Sequence, residues 1–132
     1  MFTLHPNLIK KEYIGDLSLC CVLMENNHEF PWIFLVPKRE NVQNMADLSH
    51  EDRMTLMREI ELCEHAMIHL FHPDQTNVAM IGNVTPQLHV HIICRFKNDS
   101  FWPDTIWGCP ATKMTQDETN RRKLLIQKEI FK

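Results

Sequence analysis

Between Gln87 and Ile93 the chain alternates strictly. Gln87, His89 and His91 are polar, and Leu88, Val90 and Ile92 are apolar. Period-2 alternation predicts a half-buried strand, with the apolar set facing a core and the polar set lining the opposite face. The two imidazoles then stand about 7 Å apart along that strand. Upstream, residues 17–24 are apolar nearly throughout and read as a strand buried on much of both faces, preceded by a Gly15-Asp16 turn. Residues 30–37 are aromatic and β-branched and are bracketed by Pro31 and Pro37, which predicts a second short strand. The polar loop 25–29 joins the two as an antiparallel hairpin.

From His50 to Phe71 the period lengthens. Leu56, Ile60, Cys63, Met67 and Leu70 fall on one helical face, and Met54, Met57 and Phe71 widen it. Ser49 is the expected N-cap, with Asp52 in a capping-box-like position, and His72-Pro73 ends the helix. Residues 77–81 read as a strand, and 82–86 as the turn that delivers the chain into the Gln87 strand. At the far end, Leu124, Leu125 and Ile130 predict a C-terminal helix over 116–132, capped by Thr115. This order predicts one α+β domain over 1–132. Its sheet is mainly antiparallel, of about five strands, with one long helix and a C-terminal helix.

A formal charge of -3 over 132 residues argues against a nucleic-acid-binding surface, which is normally basic, but not against binding a single nucleotide. The five cysteines include no CxxC pair, so free thiols in a reducing compartment are expected. The longest apolar run, residues 32–36, is far too short to span a bilayer. No long apolar run opens the chain, so no signal peptide is expected and the predicted location is cytoplasmic. Residues 101–108 are aromatic and broken by Pro103, which rules out a regular helix. Trp102 and Trp107 there either pack or cover a site. His65 and His69 share a helical face at a spacing that suits zinc, but Ala66 stands where a metalloprotease helix carries its catalytic Glu.

Two adjacent imidazoles on one strand face admit three chemistries. They can ligate a metal, but that needs a third ligand, and His28 and Cys94 lie at no recognisable metal spacing. They can form a structural or pH-sensing pair. They can act on phosphorus, where one neutral imidazole attacks and a neighbouring protonated imidazole donates to the phosphoryl oxygens.

The stretch from Gln87 to Ile93 resembles the histidine-triad signature, His-φ-His-φ-His-φ-φ with φ apolar, carrying Gln87 in place of the first histidine. The flanks agree in order: PWIFLVPKR at 31–39, NVAMIGN at 77–83 and WPDTIWG at 102–108. The resemblance is closest to a bacterial branch whose motif begins with Gln. It implies a small α+β domain that forms homodimers by joining sheets. It also implies hydrolysis or transfer of nucleoside monophosphates from dinucleoside polyphosphates, adenylylated amines or nucleotide sugars. Dinucleoside polyphosphate hydrolysis is the expected reaction. A nucleoside phosphoramidate hydrolase and a non-catalytic nucleotide-binding module are the alternatives. By the resemblance His89 is the nucleophile and His91 holds a phosphate oxygen. Asn83, or failing it Asn77, seats the phosphate, and Glu25 or Asn26 binds the ribose hydroxyls. Apart from the resemblance, the Gln87 amide reads either as a neutral hydrogen-bonding support near the nucleophile or as a partly solvated strand residue, and the aromatic tail 102–107 adds to the expectation of a homodimer by reaching towards a partner's site. The chemical step needs no metal or other cofactor, and no membrane or nucleic acid is involved. The 82–86 loop is shorter than in many members and lacks their glycine-rich phosphate contacts.

Overall fold

A computed structural model describes all of residues 1–132. Five strands form one antiparallel sheet: β1 (Glu12–Asp16), β2 (Cys20–Met24), β3 (Trp32–Pro37), β4 (Gln75–Ala79) and β5 (Val90–Arg95). Their spatial order is β1-β2-β3-β5-β4. The helices are α1 (Pro6–Ile9), α2 (His50–Phe71) and α3 (Gln116–Ile130). The α+β class, the long helix and the C-terminal helix are as the periodicity predicts.

Helix α2 starts where the capping argument places it. Ser49 Oγ accepts the Asp52 N–H at 3.1 Å, and His72 closes the helix in the left-handed region. Leu56, Ile60, Cys63 and Met67 are buried against Val22, Met24, Ile33, Leu35, Val90, Ile92 and Cys94 of the sheet. Helix α3 adds Ile126 and Ile130 to the same core, and Thr115 caps it by accepting the Glu118 N–H. Glu59 locks α2 to the sheet. Its buried carboxylate accepts the backbone N–H groups of Leu19 and Cys20 at 2.9 and 2.8 Å. Burial, reinforced by Glu59, pushes the Cys63 thiol up to about 12. All five cysteines are unpaired, and only Cys109 is partly exposed.

Five local expectations change. The predicted 77–81 strand lies at Gln75–Ala79, so Met80 and Ile81 fall outside it. The predicted 17–24 strand begins only at Cys20, because Leu17 and Ser18 turn the chain out of β1. Gly15-Asp16 is not a turn but the end of β1, which bulges between Tyr13 and Gly15 so that Ile14 faces the core. A Cβ at Gly15 would stand 2.7 Å from two ring carbons of Phe131, so any larger residue there has to displace that ring. Met54 and Met57 are exposed rather than core, as are Leu124 and Leu125, while Thr119 takes a buried place on α3. Finally, regular pairing of β5 starts at Val90, so Gln87 and His89 lead into the strand rather than sit within it.

The second face of the sheet is covered in two patches. At one end, Leu8 with Phe2 and Leu4 lies over Cys21, Leu23, Phe34 and Val36. At the other, Ile106 packs on Phe30 and Ile93. His89 and His91 lie beside Phe34 of the first patch, and Trp107 of the 101–109 loop reaches His91.

Candidate active site

Strand pairing places Phe34 and Ala79 directly opposite His91, on β3 and β4. The alternation therefore puts both imidazoles on the face away from α2, as the pattern predicts. Both are buried, at 5 % and 6 % exposure, and their ring centroids are 4.9 Å apart at an interplanar angle of 69°. The rings thus lean together by more than the backbone repeat requires.

The hydrogen bonds define two different imidazoles. His89 Nδ1 lies 2.6 Å from the Gln87 backbone carbonyl oxygen. A carbonyl only accepts, so Nδ1 carries the proton and Nε2 of the neutral ring keeps a free lone pair. His91 Nδ1 instead accepts the Trp32 indole N–H at 3.1 Å. An indole only donates, so in the neutral ring Nε2 carries the proton. Burial, the neighbouring His89 and Lys11 together pull the His91 pKa down to about 3. His91 is therefore neutral at physiological pH, a hydrogen-bond donor through Nε2 rather than a fixed positive charge. One ring can attack and its neighbour can donate to an oxygen beside it.

Aromatic rings fix both. Phe34 stands 6.2 Å from His89 and 5.0 Å from His91, centroid to centroid. Trp107 meets His91 edge-on at 4.9 Å and Trp32 at 6.0 Å. The Trp107 loop is tethered by Asp99, whose carboxylate grips the Arg95 guanidinium at 2.9 and 3.1 Å and accepts the N–H groups of Phe96, Phe101 and Trp102. Burial alone would raise this carboxyl, but Arg95 and the backbone donors outweigh it and hold it at about 2.

A cleft of about 630 Å³ opens beside Trp32 and Trp107, with Lys11, Glu25, Asn26 and Ile106 among its walls. Glu25 Oε2 accepts from Lys11 Nζ at 2.6 Å, and Oε1 accepts the Asn26 N–H at 3.1 Å. Asn26 spends its side-chain oxygen on the Met114 N–H at 2.8 Å. A notch of about 90 Å³, lined in part by His89, Gln87 and Gly82, opens onto the 82–86 loop. A depression of about 680 Å³ lies on the outer side of α2 around Met54 and Met57 and contains no motif residue. The chemistry, not the size, locates the site.

The expected site residues are only partly gathered. His89, His91 and the Gln87 backbone are together, and Glu25 and Asn26 share the cleft. Asn83 is exposed on the 82–86 loop. Asn77 is on β4, where its Oδ1 accepts from Arg95 at 3.1 Å. The Gln87 side chain turns away from His89, to the backbone of Thr3 and His5. His28 is paired with Glu118, and Cys94 lies in the core on the opposite sheet face, so neither joins the imidazoles as a third ligand. His65 and His69 are exposed, and His69 is paired with Glu129. Sequence reasoning missed the roles of Trp32 and Phe34, although both alternate on β3 with the period of His89 and His91. It also missed Lys11, which no local pattern marks.

A family profile, the HIT domain, matches residues 7–98. The chain belongs to the histidine-triad family. Solved structures agree. A histidine triad protein from Bradyrhizobium japonicum is 34 % identical with a TM-score of 0.94, covering 98 % of each chain. One from Marinobacter aquaeolei VT8 is also 34 % identical, with a TM-score of 0.95 over 99 % of this chain and 97 % of that one. A hypothetical histidine triad nucleotide-binding protein from Sulfolobus tokodaii shares the fold at 14 % identity. Its TM-score is 0.71, over 92 % of this chain and 85 % of that one. No match was found among curated proteins. Membership places the chain among nucleotide-binding hydrolases and transferases, and none of its helices is long and apolar enough to cross a membrane.

Proposed function

We propose that this histidine-triad protein is a nucleotidyl hydrolase acting at the α-phosphorus of a dinucleoside polyphosphate. The observation that carries the reading is the opposite tautomers of the paired imidazoles. His89 Nε2 donates its lone pair to phosphorus, and the bond to the leaving phosphate breaks with its electron pair. His91 Nε2–H donates to a phosphoryl oxygen as charge builds there. Water then attacks the nucleotidyl-histidine, the P–N bond breaks back onto Nε2, and the nucleoside monophosphate leaves with the water's oxygen. The Gln87 carbonyl holds the Nδ1 proton throughout and stabilises the ring as it gains positive charge.

The cleft beside Trp32 and Trp107 takes the nucleoside, with Glu25 accepting from the ribose hydroxyls and Asn26 beside it. Asn83 seats phosphate from the 82–86 loop, and Asn77 stands second to it because Arg95 already engages its oxygen. The protein works as a cytoplasmic homodimer. Exposed Met54 and Met57 on α2, with Val78 on the edge strand β4 and Met80 and Ile81 just after it, form the apolar surface that a second copy covers.

Turnover of diadenosine tetraphosphate and of adenosine phosphoramidate, measured side by side with and without EDTA, tests the reading. Preferential use of the tetraphosphate, unaffected by chelation, is expected. Faster use of the phosphoramidate reassigns the leaving group. Turnover of neither leaves a binding module, and loss of activity with EDTA restored by zinc overturns the mechanism. Sedimentation as a monomer at micromolar concentration overturns the dimer.

A further inference from the structure

The Gln87 side chain does something the reaction does not require. Its Oε1 accepts the His5 backbone N–H, and its Nε2 donates to the Thr3 backbone carbonyl, both at 2.8 Å. A carbonyl and the N–H two residues further on are the pair that one residue of a neighbouring parallel strand addresses. The carboxamide imitates that neighbour, because it carries a donor and an acceptor on one carbon. The two nitrogens of an imidazole diverge and suit this pair poorly. Asn7 adds a second stitch, donating from Nδ2 to the buried Thr85 Oγ1 at 3.0 Å. Both stitches reach the segment that carries His89. They hold Leu4 and Leu8 down onto Phe34, the ring beside both imidazoles. The same segment then delivers Lys11, whose ammonium lies 2.6 Å from Glu25 Oε2 and 5.3 Å from the Phe34 centroid.

We propose that residues 3–11 brace one wall of the nucleotide cleft, the wall that Lys10 and Lys11 line. Gln87 is the positioning residue that clamps this wall to the catalytic strand, and Lys11 at its end sets the Glu25 carboxylate for the ribose. The inference rests on the reading of the cleft as the nucleoside site. It gives the first motif position a part in seating the substrate rather than in proton transfer. With one oxygen held by Lys11 and the other by the Asn26 N–H, Glu25 has a fixed orientation and a remaining lone pair for a ribose hydroxyl.

Two independent readouts on the full chain test this. Amide hydrogen exchange over residues 5–9 reports the clamp without any nucleotide. Kinetics, with AMP and 2′-deoxy-AMP affinities, report the wall. Gln87→Ala should speed exchange at His5 and Leu8 and raise KM about tenfold while kcat stays within about threefold. Asn7→Ala should do the same more weakly, and covers the case in which Gln87→Ala does not fold. Lys11→Met should leave exchange at His5 unchanged but erase the preference for AMP over 2′-deoxy-AMP, and Lys11→Arg should restore it. Unchanged exchange in Gln87→Ala overturns the clamp. A fall in kcat at unchanged KM shows that the amide serves the chemistry instead. An undiminished ribose preference in Lys11→Met overturns its positioning role. A wild type that binds neither nucleotide overturns the functional reading and the wall with it, while exchange still decides the clamp.

Discussion

The two faces of the sheet are built from the same strands to opposite specifications. Under α2 and α3 lie Val22, Ile33, Leu35, Val90 and Ile92, aliphatic side chains that fit together without polar atoms. On the other face lie Trp32, Phe34, His89 and His91, bound to one another by ring edges and directional hydrogen bonds. Aliphatic packing gives stability but no orientation, whereas an indole N–H fixes which nitrogen of His91 holds the proton. On β5 the two requirements alternate residue by residue, so a one-residue register slip would exchange them.

The largest effect should separate the faces completely. His89→Ala is expected to lower turnover by several orders of magnitude, as loss of a covalent nucleophile does, while the melting temperature changes little. A variant that melts far below wild type would place His89 in the structural class instead. Next comes Arg95→Met, which leaves the Asp99 carboxylate buried without its partner. A buried pair broken on one side costs about 3–5 kcal/mol, and the tether of Trp107 goes with it. Denaturant unfolding checks the stability, and Trp107 fluorescence checks the loop. On the core face, Leu56→Ala should cost about 2–5 kcal/mol in the same unfolding measurement and leave KM unchanged. Trp32→Phe should be smallest, removing one hydrogen bond worth about 1 kcal/mol and freeing His91 to adopt either tautomer. A kcat lower than wild type with the fold intact would confirm that the tautomer matters. An unchanged kcat would show that it does not.

Acid sharpens the contrast further. The His91 pKa is about 3 in the folded protein against an ordinary value of 6.5, so between those limits the unfolded chain binds the extra proton. Stability is therefore full above about pH 6.5 and falls as the pH drops towards 3. Asp99 has its own window, with stability present above about pH 3.8 and lost as the pH falls to about 2. Melting curves of wild type and His91→Asn from pH 7 to pH 4 should converge as the wild type loses its advantage. Parallel curves would show that His91 is not held neutral.

The motif strand, the hairpin of β2 and β3, and both caps of the long helices were legible because each follows from local periodicity or from one side chain on one backbone N–H. The exposed Met54 and Met57 were not, since helical spacing reveals that a stripe is apolar but not what covers it. The close packing of Phe131 on Gly15 was hidden because the two residues lie far apart along the chain. The Gln87 amide and Lys11 were misjudged or missed for a related reason. Their partners are Thr3, His5 and Glu25, and only the folded topology brings those residues near.

The Gly15–Phe131 approach also dictates a schedule. The hairpins of β1, β2 and β3 are local and can pair as soon as they are made. The inward side of Ile14, however, waits for α3, whose Gln127 also closes on the Ile14 carbonyl at 2.8 Å. That side of β1 is completed only by residues 113 positions further along the chain. Until α3 docks, Ile14 leaves apolar surface uncovered, the kind of surface that chaperones hold during synthesis.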